Sequence, residues 1–230
     1  MSTVVTNINS REAYRNAVRL LSGYLGISED AVISQYRPGP ASIRGEVAIS
    51  SSTTQYTIPI RTTDAGANTF ATNILVQQQD IFVASELAVF VAVGASATDS
   101  ALNLLTYPDP SVFSTSGAAT ALNALYNGFA RVTINNENAV VNWDLAKHRK
   151  VPIQQSAANA DYTTSGINYA PSLDLATDGF YPVEPNLVLS GASNIQFTLN
   201  LPQAVSTVQA NSRIVVVQRG ILLQNATSVK

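Results

Sequence analysis

Along residues 194–201 apolar and polar side chains alternate without a break: Ile195, Phe197, Leu199 and Leu201 against Gln196, Thr198 and Asn200. A period of two sends the first set to one face of an extended chain and the second to the other. A strand that is half buried and half wet cannot stand alone; it needs neighbours in a sheet and a layer against its apolar face. Pro202 ends the run, because proline lacks the N–H that a ladder requires. Residues 214–223 are β-branched enough to form the next strand, with Gly220 expected at a bulge or a close backbone approach. Residues 81–93 are apolar at nearly every position, and their length and β-branching favour a buried central strand over a helix.

The N-terminal stretch has a different period. Tyr14, Ala17, Val18, Leu21, Tyr24 and Leu25 fall on one face of a helix, with Ser10 expected as its N-cap and Gly26 as its stop. Arg11, Arg15 and Arg19 form a stripe beside that face. Ser28 is expected to cap a shorter helix over residues 29–36, and Arg37-Pro38-Gly39-Pro40 closes the helical part. From there the texture is strand and turn. Residues 45–50, 55–61 and 74–77 are expected strands, Pro59 demoting the second to an edge or bulge. Residues 117–126 read as a short Ala-rich helix. Residues 132–134 and 139–143 read as a hairpin around Asn135-Asn136-Glu137-Asn138. Residues 156–182 have no period and are expected as a long excursion loop anchored by Tyr162, Tyr169, Phe180 and Tyr181. The expected fold is mainly β: an antiparallel two-sheet β-sandwich, residues 41–230, behind a helical N-terminal segment, residues 1–40.

Charge is what sets this chain apart. Charged residues make up 12% of its 230 positions, with a net charge of −2, against about 25% charged in ordinary soluble domains. Ser, Thr, Asn and Gln fill about a third of it. Neutral amides and hydroxyls are easier to desolvate against a neighbour than charges, which suits a protein packed against other subunits; an extracellular or phage-borne β-protein that is merely polar is the alternative. There is no cysteine, so disulfides and thiolate metal sites are excluded. No signal segment is expected at the N-terminus, and the longest apolar run is too short and too polar to cross a bilayer.

Little here points to catalysis. His148, the one histidine, sits in Lys147-His148-Arg149-Lys150 and is expected to be a solvated surface residue. One histidine and no cysteine argue against a zinc site on chemistry alone, and no phosphate-cradling glycine pattern occurs; no metal or cofactor is expected. Asp144, Asp161, Asp174 and Asp178 lie in loop-rich sequence, where two converging carboxylates would suit glycan cleavage, but turn roles are the simpler reading. Trp143 and the loop tyrosines offer a possible sugar-stacking platform and equally possible core or interface anchors.

Several phrases carry a resemblance: Asp80-Ile81-Phe82-Val83-Ala84-Ser85-Glu86-Leu87-Ala88-Val89-Phe90, Tyr107-Pro108-Asp109-Pro110, Ala124-Leu125-Tyr126-Asn127-Gly128 and Val215-Val216-Val217-Gln218-Arg219-Gly220. With the overall texture of residues 43–225 they resemble bacteriophage virion structural proteins of the jelly-roll type. That resemblance implies a non-enzymatic protein whose activity is self-assembly into a capsid shell or a symmetric virion appendage. Its partners would be copies of itself and other virion proteins, with packaged nucleic acid a weaker candidate, and its place the virion after synthesis in the host cytoplasm. Tyr14, Arg15, Val18 and Arg19 on the helix and Tyr162 and Tyr169 in the long loop are the expected subunit contacts. A carbohydrate-binding head-fibre or lectin-like module and a carboxylate-dependent glycan-cleaving enzyme are the alternatives.

Overall fold

The computed structural model describes residues 2–64, 70–94, 96, 98–100, 102, 104–106, 116–149, 179–205 and 210–226, with side chains from residue 11 onward. Two helices lead, α1 (Ser2–Leu25) and α2 (Glu29–Tyr36). Eight strands follow: β1 (Gly39–Ala48), β2 (Gln55–Ile58), β3 (Ile81–Val93), β4 (Phe129–Ile134), β5 (Glu137–Asp144), β6 (Phe180–Ser190), β7 (Ile195–Asn200) and β8 (Ser212–Leu223). A third helix, α3 (Ser116–Tyr126), lies between β3 and β4. The strands form two antiparallel four-stranded sheets in the orders β1-β8-β3-β6 and β2-β7-β4-β5. The mainly β, two-sheet sandwich expected from the alternating stretches is the fold.

Each strand's period decides which residues meet in the middle. In β7, Ile195, Phe197 and Leu199 point inward, joined by Tyr56 and Ile58 of β2 and Ala130 and Val132 of β4. From the other sheet Ile43, Phe82, Ala84, Leu87, Val89, Ile214 and Val216 complete the same core. α3 contributes Leu122, Leu125 and Tyr126 to it, and burial pushes the Tyr126 phenol well above its ordinary pKa.

β3 explains its own unbroken hydrophobicity. Inward positions are even up to Ala84 and odd from Leu87 on, because a bulge falls between Ala84 and Glu86 and leaves Ser85 as the extra residue. The outward set is buried as well. Ile81 and Val83 lie under the helical pair, and Ala88, Phe90 and Ala92 pack with Leu102, Leu104 and Phe180. Gly220 lies opposite Ala84, beside the bulge, and a Cβ there would run into the Val83 carbonyl. The close approach expected at Gly220 is thus present, with the bulge on the facing strand.

Several local expectations are corrected. α1 starts at Ser2, so Ser10 is inside the helix and is not its cap. Gly26 does end it, at φ +69, and Ser28 Oγ caps α2 by accepting from the Ala31 N–H at 3.2 Å. β1 begins at Gly39, within the stretch assigned to the helical segment. Residues 74–77 form isolated bridges, Ile74 to Arg44 and Val76 to Arg61. The β4–β5 turn is shorter than the four residues expected: Asn135 and Asn136 make it alone, both at positive φ (51° and 68°), as a two-residue hairpin whose twist matches the strands requires. Among the described residues no helix is long and apolar enough to cross a membrane.

Candidate functional site

The two sheets treat their outer faces differently. On the β1-β8-β3-β6 sheet, α1 and α2 lay Ala17, Val18, Leu21 and Val32 over Ile81, Val83, Ile221 and Leu223. Farther along, Arg219 and Glu86, each partly exposed, face one another at 3.8 Å, and the Arg219 guanidinium lies 3.6 Å from the Phe180 ring centre. Beyond them a buried ionic group closes the sheet. Glu46 takes Arg44 at 2.7 Å on one oxygen and Arg213 at 3.2 Å on the other. Arg213 also donates to the carbonyls of Asp99 (3.0 Å) and Ser96 (3.2 Å) and lies 4.1 Å from the Phe70 ring centre. Thr72 Oγ1 donates to Glu46 Oε1, and Asn73 Oδ1 accepts the Glu46 N–H. A carboxylate buried between two arginines thereby clamps two loops onto the sheet edge. It is an architectural group whose carboxylate is paired from within the chain.

Among the described residues, the outer face of the β2-β7-β4-β5 sheet carries no comparable apolar cluster. Its outward positions include Gln55 and Thr57, then Gln196, Thr198 and Asn200, then Phe129, Arg131 and Thr133. Thr57, Thr198 and Arg131 lie side by side across the three strands. Gln55, Thr57 and Gln196 are exposed, and Val141 of β5 is 52% exposed. Arg131 brings the one charge among the outward positions of β2, β7 and β4, lying 5.8 Å from the Phe129 ring centre. The wet half of the alternating stretch is therefore part of a broad face of hydroxyls and amides.

Of the helical residues expected at subunit contacts, Arg15 and Arg19 are exposed, Tyr14 is partly buried against the helix–sheet cluster, and Val18 is 2% exposed against the chain's own sheet. Val18 is thus used within the chain and is not presented outward; among the described side chains of α1 and α2, the exposed large apolar ones are Leu20, Tyr24 and Ile33. The helical period could not make that distinction, since Leu20 lies off the stripe. Tyr162 and Tyr169 lie outside the described residues, as do Asp161, Asp174 and Asp178. Asp144 Oδ1 accepts the Ala146 N–H at 2.9 Å and caps a short 3-10 turn, Leu145–His148. Among the described residues no cluster of three or more metal-ligating side chains occurs.

His148 overturns the expectation of a solvated surface residue: it is fully buried. The Trp143 Nε1–H donates to His148 Nε2 at 2.7 Å, so the ring proton sits on Nδ1, which donates to the Gly179 carbonyl at 2.9 Å. Burial pushes the imidazole from 6.5 down to about 4, outweighing the opposing Gly179 hydrogen bond. Tyr181 meets the ring edge-on, and the Lys147 ammonium sits 3.6 Å from the Trp143 ring centre. Trp143 is accordingly committed on both sides, to His148 and to Lys147, and offers no bare platform for a sugar. Four basic letters in a row suggested solvent; a turn that brings Leu145 and His148 inward decided otherwise.

No family model matches the chain, and no curated protein matches it. Among solved structures it is similar to PBCV-1 VP54, from the crystal structure fitted into a cryo-EM reconstruction of the virophage Sputnik, at 16% identity and a TM-score of 0.29. The match covers 82% of this chain and 50% of that one, so this chain spans about half the length of that protein. The fold rests on this chain's own strand pairings.

Proposed function

We propose that this protein is a virion structural subunit that assembles with copies of itself through the outer face of the β2-β7-β4-β5 sheet. The supporting observation is that face: threonine, asparagine and glutamine, with Arg131 the one charge among the outward positions of β2, β7 and β4, while the opposite sheet is covered by helices and loops. Neutral polar groups can exchange water for equivalent partners on another copy without stranding a charge, and a symmetric assembly repeats that exchange at every contact. The strand pairing suits the reading as well. β1 pairs with β8, β2 with β7, β3 with β6 and β4 with β5. That nested order is what a jelly roll, a fold used in viral capsids, would have. Leu20 and Ile33, with Arg15 and Arg19 on the same helical pair, supply a second contact.

The test is particle size, by light scattering and negative-stain microscopy of the purified chain across a concentration series. The expected result is regular particles many subunits in size, lost in Thr198→Lys while circular dichroism still reports a folded β protein. A wild-type chain that stays a solitary subunit at high concentration, or a Thr198→Lys variant that assembles as well as wild type, overturns the proposal.

A further inference from the structure

At one end of the sandwich the C-terminal ends of α1 and α2 meet the β4–β5 and β6–β7 turns around a cleft of about 300 Å³. Tyr24 and Tyr36 stand on the helical side, Gln35 beside them, Asn135 and Ser190 on the turns, and Ile81 in the floor. No Asp, Glu, Lys, Arg or His is among the described residues that line it. Each turn residue keeps hydrogen-bonding capacity after its internal bond. Asn135 Oδ1 accepts from the Asn194 N–H at 3.0 Å, which leaves both amide hydrogens as donors. Ser190 Oγ accepts from the Ala192 N–H at 3.4 Å and keeps its own hydrogen. Gln35 is exposed, and Tyr24 is 46% exposed.

The geometry points to a binding site for a neutral saccharide, one or two pyranose units long. Three features select that class. Two tyrosines and an apolar floor match the C–H face of a pyranose, and amides with a hydroxyl match its paired donor–acceptor groups. An anionic ligand would find no cation among the described residues of the cleft. A purely apolar one would strip water from the amides and return nothing. Trp143 is not among the residues that line this site, and the site does not depend on the assembly proposal.

Saturation-transfer NMR on the full chain tests it, with maltose, lactose and diacetylchitobiose as neutral probes and a glucuronate-containing disaccharide as the charged control. The expected result is transfer to at least one neutral probe and none to the charged one. Binding should weaken about tenfold or more in Gln35→Ala and in Tyr36→Ala, and persist in Tyr36→Phe, which keeps the ring. Gln35 is exposed, so its variant remains informative if Tyr36→Ala fails to fold. No transfer to any of the three neutral probes, or equal transfer in Gln35→Ala, overturns the inference. So does a Gln35→Ala chain with altered particle size from a wild type that binds no sugar, since a second copy would then occupy the cleft.

Discussion

Acidification from pH 7 to pH 4 is expected to destabilise this protein through His148. The folded chain holds the imidazole neutral: Trp143 occupies Nε2, Gly179 occupies Nδ1–H, and burial sets the folded pKa at about 4 against 6.5 ordinarily. Unfolding frees the ring to take a proton at any pH below about 6.5. The sign follows: the unfolded state binds more protons between those two values, so this contribution is intact above pH 6.5, falls as pH drops toward 4, and is constant below. At about 1.36 kcal/mol per pH unit the gap amounts to about 3 kcal/mol across the window. That is a large share of the 5–15 kcal/mol typical of a domain. Urea titrations of wild type and His148→Gln at pH 7.5, 6.5, 5.5 and 4.5 would measure it, since glutamine can still accept from Trp143 and does not titrate. The stability difference between the two proteins should shrink with acid, by about 1 kcal/mol per pH unit at the steepest. Parallel curves, with the same difference at every pH, would refute the buried neutral imidazole.

Three further outcomes follow from the packing. Gly220→Ala should lower the melting temperature sharply or prevent folding, because the added methyl runs into the Val83 carbonyl in the middle of a sheet; a variant that melts with wild type would mean the bulge can relax. Glu46→Ala leaves Arg213 and Arg44 without their carboxylate and should cost about 3–5 kcal/mol by urea denaturation, whereas Arg44→Ala alone, at a partly exposed position, should cost less. Leu21→Ala should cost about 2–5 kcal/mol, since Leu21 is fully buried between α1 and the sheet. A neutral Leu21→Ala would mean that α1 does not rest on its own sheet in solution.

Much of the architecture was legible from local pattern. The period-two run of β7 names its buried and wet faces by itself, and Ser28 and Gly26 mark helix ends because capping is a matter of a few neighbouring atoms. The bounds of β3 were legible because its composition changes abruptly at both ends, but its bulge was not: Ser85 becomes the extra residue only in register with β8 and β6. The candidate site was less legible. Sequence placed Gln196, Thr198 and Asn200 on one polar face, yet only the pairing of β7 between β2 and β4 spreads that face across a sheet.

Where long-range contacts set the environment, local signals failed. His148 stands among basic neighbours and looks solvated, but its burial comes from Gly179 and Tyr181, more than thirty residues away. Glu46, Arg44 and Arg213 gave no sign of meeting, since 167 positions separate Glu46 from Arg213. Val18, expected at a subunit contact, packs on the chain's own sheet, because a helical period defines a face and not what covers it. The sequence by itself determined the alternation, the caps and the scarcity of charge, because each depends on a residue and its near neighbours. Tertiary structure decided which face the helices cover and which ionisable groups go dark, because strand pairing sets what lies across from each side chain.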